Sequence, residues 1–120
     1  MLNVKKTLTK LIDHETSTLT IVNGTVGNSN RCRKHDGMVE FFIDLEGITY
    51  SSGWNTVAQL PSGWEPENYY DFLALNTATD QATSAKVSSS GAVQIFKSSY
   101  AGAKMRIHSM HFAKLGGGTP

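Results

Sequence analysis

Hydrophobic and polar positions alternate most cleanly over residues 38–48, where Val39, Phe41, Ile43 and Leu45 fall on one face and Glu40, Asp44 and Glu46 on the other. A period of two sustained over this length predicts a central strand with one face in a core. Shorter extended runs are predicted over 19–22, 29–34, 56–60, 69–77, 85–88, 92–97 and 104–114. The breaks between them carry turn chemistry: Asn23-Gly24, Asp36-Gly37 in two-residue hairpin form, Pro61-Ser62-Gly63 followed by Pro66, and Ser89-Ser90-Gly91. Eight or nine strands at this spacing predict an all-β fold, an antiparallel β-sandwich of the jelly-roll kind.

Residues 3–14 fit two patterns, since Leu8, Leu11 and Ile12 have helical spacing while the threonines between them suit a strand. We read 1–17 as an arm or first strand joining a longer protein, 18–114 as the β-sandwich domain, and 115–120, with its glycine run, as a flexible tail. The length of 120 residues, with 39% hydrophobic and 18% charged, suits one core and not two.

A net charge of +1 leaves no basic stripe for a nucleic-acid backbone, so nucleic acid is not an expected partner. The single Cys32 excludes an internal disulfide and no CxxC pair offers zinc ligands. No apolar run approaches the roughly 20 residues of a membrane-spanning helix, so membrane insertion is not expected.

Several strands are apolar on both faces: Phe42 and Met38 oppose the Val39 row, Phe96 opposes Val93 and Ile95, and Met110 and Phe112 oppose Met105 and Ile107. One core cannot take both faces. Burying a phenylalanine is worth roughly 1.5 to 3 kcal/mol, so either an interface between copies recovers the second face, or a bulge near Ser109 reverses the last strand.

The chain also carries Gly37-Met38-Val39, a Trp54-bearing turn, Val57-Ala58-Gln59-Leu60-Pro61-Ser62-Gly63-Trp64-Glu65-Pro66, and Lys86-Val87-Ser88-Ser89-Ser90-Gly91-Ala92-Val93-Gln94-Ile95. Over about residues 31–112 this order resembles the C-terminal β-sandwich domains of bacteriophage tail fibre, baseplate and receptor-binding proteins. Where that family usually has Tyr-Arg-Pro at the corner, this chain has Trp64-Glu65-Pro66, which reverses a charge. The resemblance implies a homotrimer at the tip of a virion appendage, in contact with other tail or baseplate proteins and adhering to a bacterial surface polysaccharide.

Sugar rings offer C–H patches to aromatic faces and hydroxyls to carboxylates and amides. The candidate ligand-binding residues are therefore Trp54 with Asn55, Trp64 with Glu65, and Tyr69, Tyr70 and Asp71. Trp54 admits a binding and an anchoring role. Trp64, between Gly63 and Pro66, is better suited to packing across the corner, and Tyr69 and Tyr70 must point to opposite faces of one strand.

The acids Glu40, Asp44 and Glu46 have the spacing of a glycosidase pair, but no cleft or desolvated acid accompanies them, and a solvated or inter-subunit face is the expected reading. No loop is dense enough in oxygen ligands for calcium, and His108 and His111 point apart in a strand. No metal, cofactor or enzymatic activity is expected. The alternatives to an adhesive domain are a structural trimerisation domain of the same fold and a carbohydrate-active enzyme or its binding module.

Overall fold

The computed structural model describes residues 15–114. The arm before Glu15 and the tail from Leu115 lie outside the described residues. Nine strands form one antiparallel sheet: β1 (Glu15–Ser17), β2 (Thr20–Ile21), β3 (Thr25–His35), β4 (Met38–Glu46), β5 (Trp54–Gln59), β6 (Tyr70–Asn76), β7 (Gln81–Val87), β8 (Ala92–Phe96) and β9 (Met105–Phe112). Their order is β1-β3-β4-β9-β6-β7-β8-β5-β2. The all-β sandwich-like fold is as expected.

The two ends of that order, β1 and β2, are separated in the chain only by Thr18 and Leu19. A sheet whose opposite edges are two residues apart has to curl back on itself, and here it does so as two facing layers. β9 pairs with β4 from Met38 to Leu45 but meets β6 only through Leu75 opposite Arg106 and Asn76 opposite Met105. Beyond those pairs β6 and β9 separate, leaving β1-β3-β4-β9 as one layer and β6-β7-β8-β5-β2 as the other.

The seam at Leu19 is closed by a side chain. Asn30, at the irregular register of β3, accepts from the Leu19 amide and donates to the Leu19 carbonyl, both at 2.9 Å. The carboxamide has one donor group and one acceptor and so stands in for the strand that Leu19 lacks. Beside the seam Gly24 has φ +89°, and a Cβ there would lie 2.6 Å from the Glu46 carbonyl oxygen, so only glycine fits.

The sequence signals for the central strands hold. β4 alternates through all nine positions, and Val39, Phe41, Ile43, Leu45, Val93 and Ile95 are fully buried. Asp36 and Gly37 both have positive φ (52° and 78°), the two-residue turn that matches strand twist. β9 alternates without interruption through Ser109, so the expected alternative of a bulge there is corrected.

Two strands depart from the expected limits. β3 begins at Thr25 rather than Ser29, and β7 begins at Gln81 rather than Ala85. Apart from the exposed Val26, both extensions are small or polar and give no apolar alternation; their partners β4 and β6 impose the extension.

Asn30→Ala is expected to cost about 1 to 3 kcal/mol, because both Leu19 backbone groups lose their partner. Phe41→Ala, which empties the centre of the core, is expected to cost about 3 to 5 kcal/mol. Denaturant midpoints measure both. Equal losses, or a Phe41 loss under about 1 kcal/mol, would mean that the seam and core are weighted wrongly.

Candidate functional site

The candidate residues divide among four places. On the outer face of the β6-β7-β8-β5 layer, register aligns Asp71, Lys86, Gln94 and Thr56 in one cross-strand row. Trp54 opposite Phe96 forms part of the next. The Trp54 ring, 38% exposed, meets Phe96 edge-on at 5.3 Å between centroids. Lys86 Nζ lies 4.2 Å from the Trp54 centroid and 5.9 Å from that of Tyr69. Trp54 and Tyr69 thus flank one ammonium, with the exposed carboxylate of Asp71 on the neighbouring strand. This assembles aromatic rings, a cation and an anion on one outer face.

Asn55 is not on that surface. It is buried, and its amide is spent on the turn before it: Oδ1 accepts from the Ser51 amide, and Nδ2 donates to the Ser51 and Gly53 carbonyls. The expected pairing of Trp54 with Asn55 is therefore corrected to Trp54 with Lys86. Alternation explains it, since neighbours on a strand face opposite ways.

Trp64 and Glu65 build the corner between β5 and β6. Trp64 is buried, its amide donates to the Pro61 carbonyl at 3.1 Å, and Glu65 Oε2 accepts from the Gly63 amide at 3.0 Å. The Glu65 carbonyl accepts from the Lys114 amide and Pro66 bridges to Ala113, so the corner is tied to the end of β9.

Tyr70 points the other way from Tyr69, into the wedge where β6 and β9 part. Its ring lies 6.4 Å from Phe72 and 6.1 Å from His111. Outside this cluster is a groove of about 450 Å³ lined by Pro66, Asn68, Tyr69, Tyr70, Met110, His111 and Phe112, with Met38 at its side. Tyr69 belongs to both places, at the rim between that outer face and the groove.

Sequence reasoning did not assign Lys86, Phe96, Met110, His111 or Phe112 to a site. Lys86 reads as an ordinary strand lysine until register brings it over Trp54. His111 has no signal beyond its inward place in β9.

Two of the acidic row, Glu40 and Asp44, are ion-paired across the strands. Arg33 Nε and His108 Nε2 donate to the two carboxyl oxygens of Glu40 at 2.9 and 2.8 Å, and Arg106 Nε donates to Asp44 at 3.1 Å. The bonds from His108 and Arg33 hold the Glu40 carboxyl below its ordinary value of 4.5, the reverse of the raised value a general acid needs. Phe42 in the same face is flanked by Arg31 at 5.6 Å and His108 at 5.5 Å, so its ring already has neighbours within the chain. Cys32 is buried and desolvation raises its thiol to about 11, which keeps it protonated and unreactive.

No family model matches the chain, and no curated protein matches it. Among solved structures, the receptor binding protein (gp15) of Listeria phage PSA aligns with a TM-score of 0.65 and 19% identity. The alignment covers 91% of this chain and 71% of that one. The two chains share a fold. At this identity the likeness extends to the fold and not to individual surface side chains.

Because Glu40 is held low in the folded chain, its contribution to stability is present above 4.5 and is lost as pH falls through the lowered folded value. Glu40→Gln is expected to flatten that part of the acid limb in a series of denaturation curves. An acid limb identical to that of the unchanged protein would show that Arg33 and His108 do not hold the carboxyl in solution.

Proposed function

We propose that this chain is a receptor-binding domain of a bacteriophage tail that adheres to a bacterial surface glycan without turning it over. The fold it shares with a phage receptor binding protein over most of its length carries this reading. The surface of Trp54, Phe96, Lys86, Tyr69 and Asp71 supports it, because exposed aromatic rings for C–H contacts beside charged groups for hydroxyls are what glycan recognition uses. Such a site is shallow, and many copies on one virion make weak contacts effective.

The domain is proposed to work as a homotrimer alongside other tail or baseplate proteins, at the virion tip. Apolar side chains remain exposed outside the Trp54 surface and the groove: Leu73 on β6, and Val22 and Val26 after β2 and in β3. A closed ring of copies needs two different surfaces on each copy, and these separate apolar groups support that reading. Phe42, with Arg31 and His108 against its ring, contributes less to that argument than sequence alone suggests.

Trp54→Ala is expected to abolish retention on purified bacterial cell walls, Listeria walls among the panel, while costing about 1 to 2 kcal/mol from the lost edge contact and cation–π pair. Trp64→Ala is expected to cost about 3 to 5 kcal/mol, since it empties a buried corner. Retention unchanged in the Trp54 variant places adhesion elsewhere. Sedimentation at micromolar concentration is expected to give three times the 13.1 kDa chain mass; a monomer removes the argument from the exposed apolar faces.

A further inference from the structure

The groove between β6 and β9 has an unusual floor. His111 is 4% exposed, and its Nε2 lies 2.9 Å from the Trp64 carbonyl oxygen. A carbonyl oxygen can only accept, so Nε2 carries the hydrogen. Burial also lowers the imidazole's affinity for a second proton. The ring is therefore neutral, with the lone pair on Nδ1.

That Nδ1 is buried and has no partner among the described residues. Ser109 Oγ, two positions back on the same inward row of β9, is in the same state. Buried polar atoms without partners are uncommon in native proteins and are costly to keep. His111 lines an open groove walled by aromatic rings, so its unused acceptor marks a place for something that donates a hydrogen bond.

We propose that the groove is a ligand subsite for a hydroxyl-bearing ring, a pyranose or comparable polyol unit, whose hydroxyl donates to His111 Nδ1. The walls suit such a group: Tyr70, Phe112 and Met110 offer C–H and ring surface, and Asn68 at the rim offers an amide. A volume of about 450 Å³ holds a sugar unit with room for its neighbour along a chain. A phosphate or carboxylate would bring its own lone pairs against that of Nδ1. An ammonium would enter a lining without any carboxylate, paying desolvation with no counter-charge.

Tyr69 joins this groove to the Trp54 surface, so a glycan crossing that rim would occupy both. The inference deepens the adhesion reading and rests on it for the class of ligand.

The test is a titration of the full chain, labelled with ¹⁵N at histidine and tryptophan, with methyl glucoside, methyl galactoside, N-acetylglucosamine, methyl rhamnoside and glycerol. At least one is expected to shift the His111 Nδ1 resonance towards that of a hydrogen-bonded acceptor. That response is expected to be lost in Tyr70→Ala and in Phe112→Ala, the second of which removes an exposed ring and keeps the fold.

A His111 resonance unmoved by the whole panel to the limit of solubility overturns the inference. So does one already hydrogen-bonded in the ligand-free protein, which would mean a resident water, or one that moves with sodium acetate or methylamine but not with the sugars. Trp54 Nε1 reports separately. A response there with His111 silent sinks the groove and leaves the adhesion reading standing. A response at His111 with wall retention intact in Trp54→Ala does the reverse for the Trp54 surface.

Discussion

The architecture depends on satisfying backbone groups where the curled sheet has no strand to offer. Asn30 clamps Leu19 at the seam, and three more asparagines act alike in irregular segments. Asn23 exchanges bonds with both backbone groups of Thr49, Asn55 holds Ser51 and Gly53, and Asn76 donates to the Tyr100 carbonyl while accepting from the Ala78 amide. A buried or half-buried peptide group without a partner is costly. The carboxamide, with donor and acceptor on one short side chain, repairs both defects at once. The strands supply most of the core, and these amides fix where the sheet turns.

That division explains what could be read from the chain. β4 and β8 were legible because their apolar side chains alternate against a single core, and the β3-β4 hairpin because Asp36-Gly37 takes positive φ in sequence-visible form. The first halves of β7 and β3 were not, because Gln81, Ala82, Thr83 and Ser84, or Thr25, Gly27 and Asn28, are extended by their neighbours and not by their own preference. The seam was equally hidden: nothing local tells that Asn30 faces Leu19.

The candidate surface was legible in type more than in membership. Trp54, Tyr69 and Asp71 were selected as aromatic and acidic residues near turns, and they do share a face. Asn55 was grouped with Trp54 by adjacency, whereas a strand sends adjacent side chains apart. Lys86, more than thirty residues along, reaches Trp54 only through the β7-β8-β5 register. His111 required more still, because its meaning lies in which ring nitrogen is occupied and which is left over.

The seam has a mechanical side. Force on the chain ahead of Glu15 meets β1 first, and that strand is held to β3 by three residue pairs that can open one after another, Glu15 from Lys34, Thr16 from Arg33, Ser17 from Cys32. The next residue with bonds across the seam is Leu19, gripped on both backbone groups by Asn30, whose own strand is paired along β4. Tension would therefore unzip a short edge and then have to break two bonds together, passing from peeling to shear before it reaches either layer of the core.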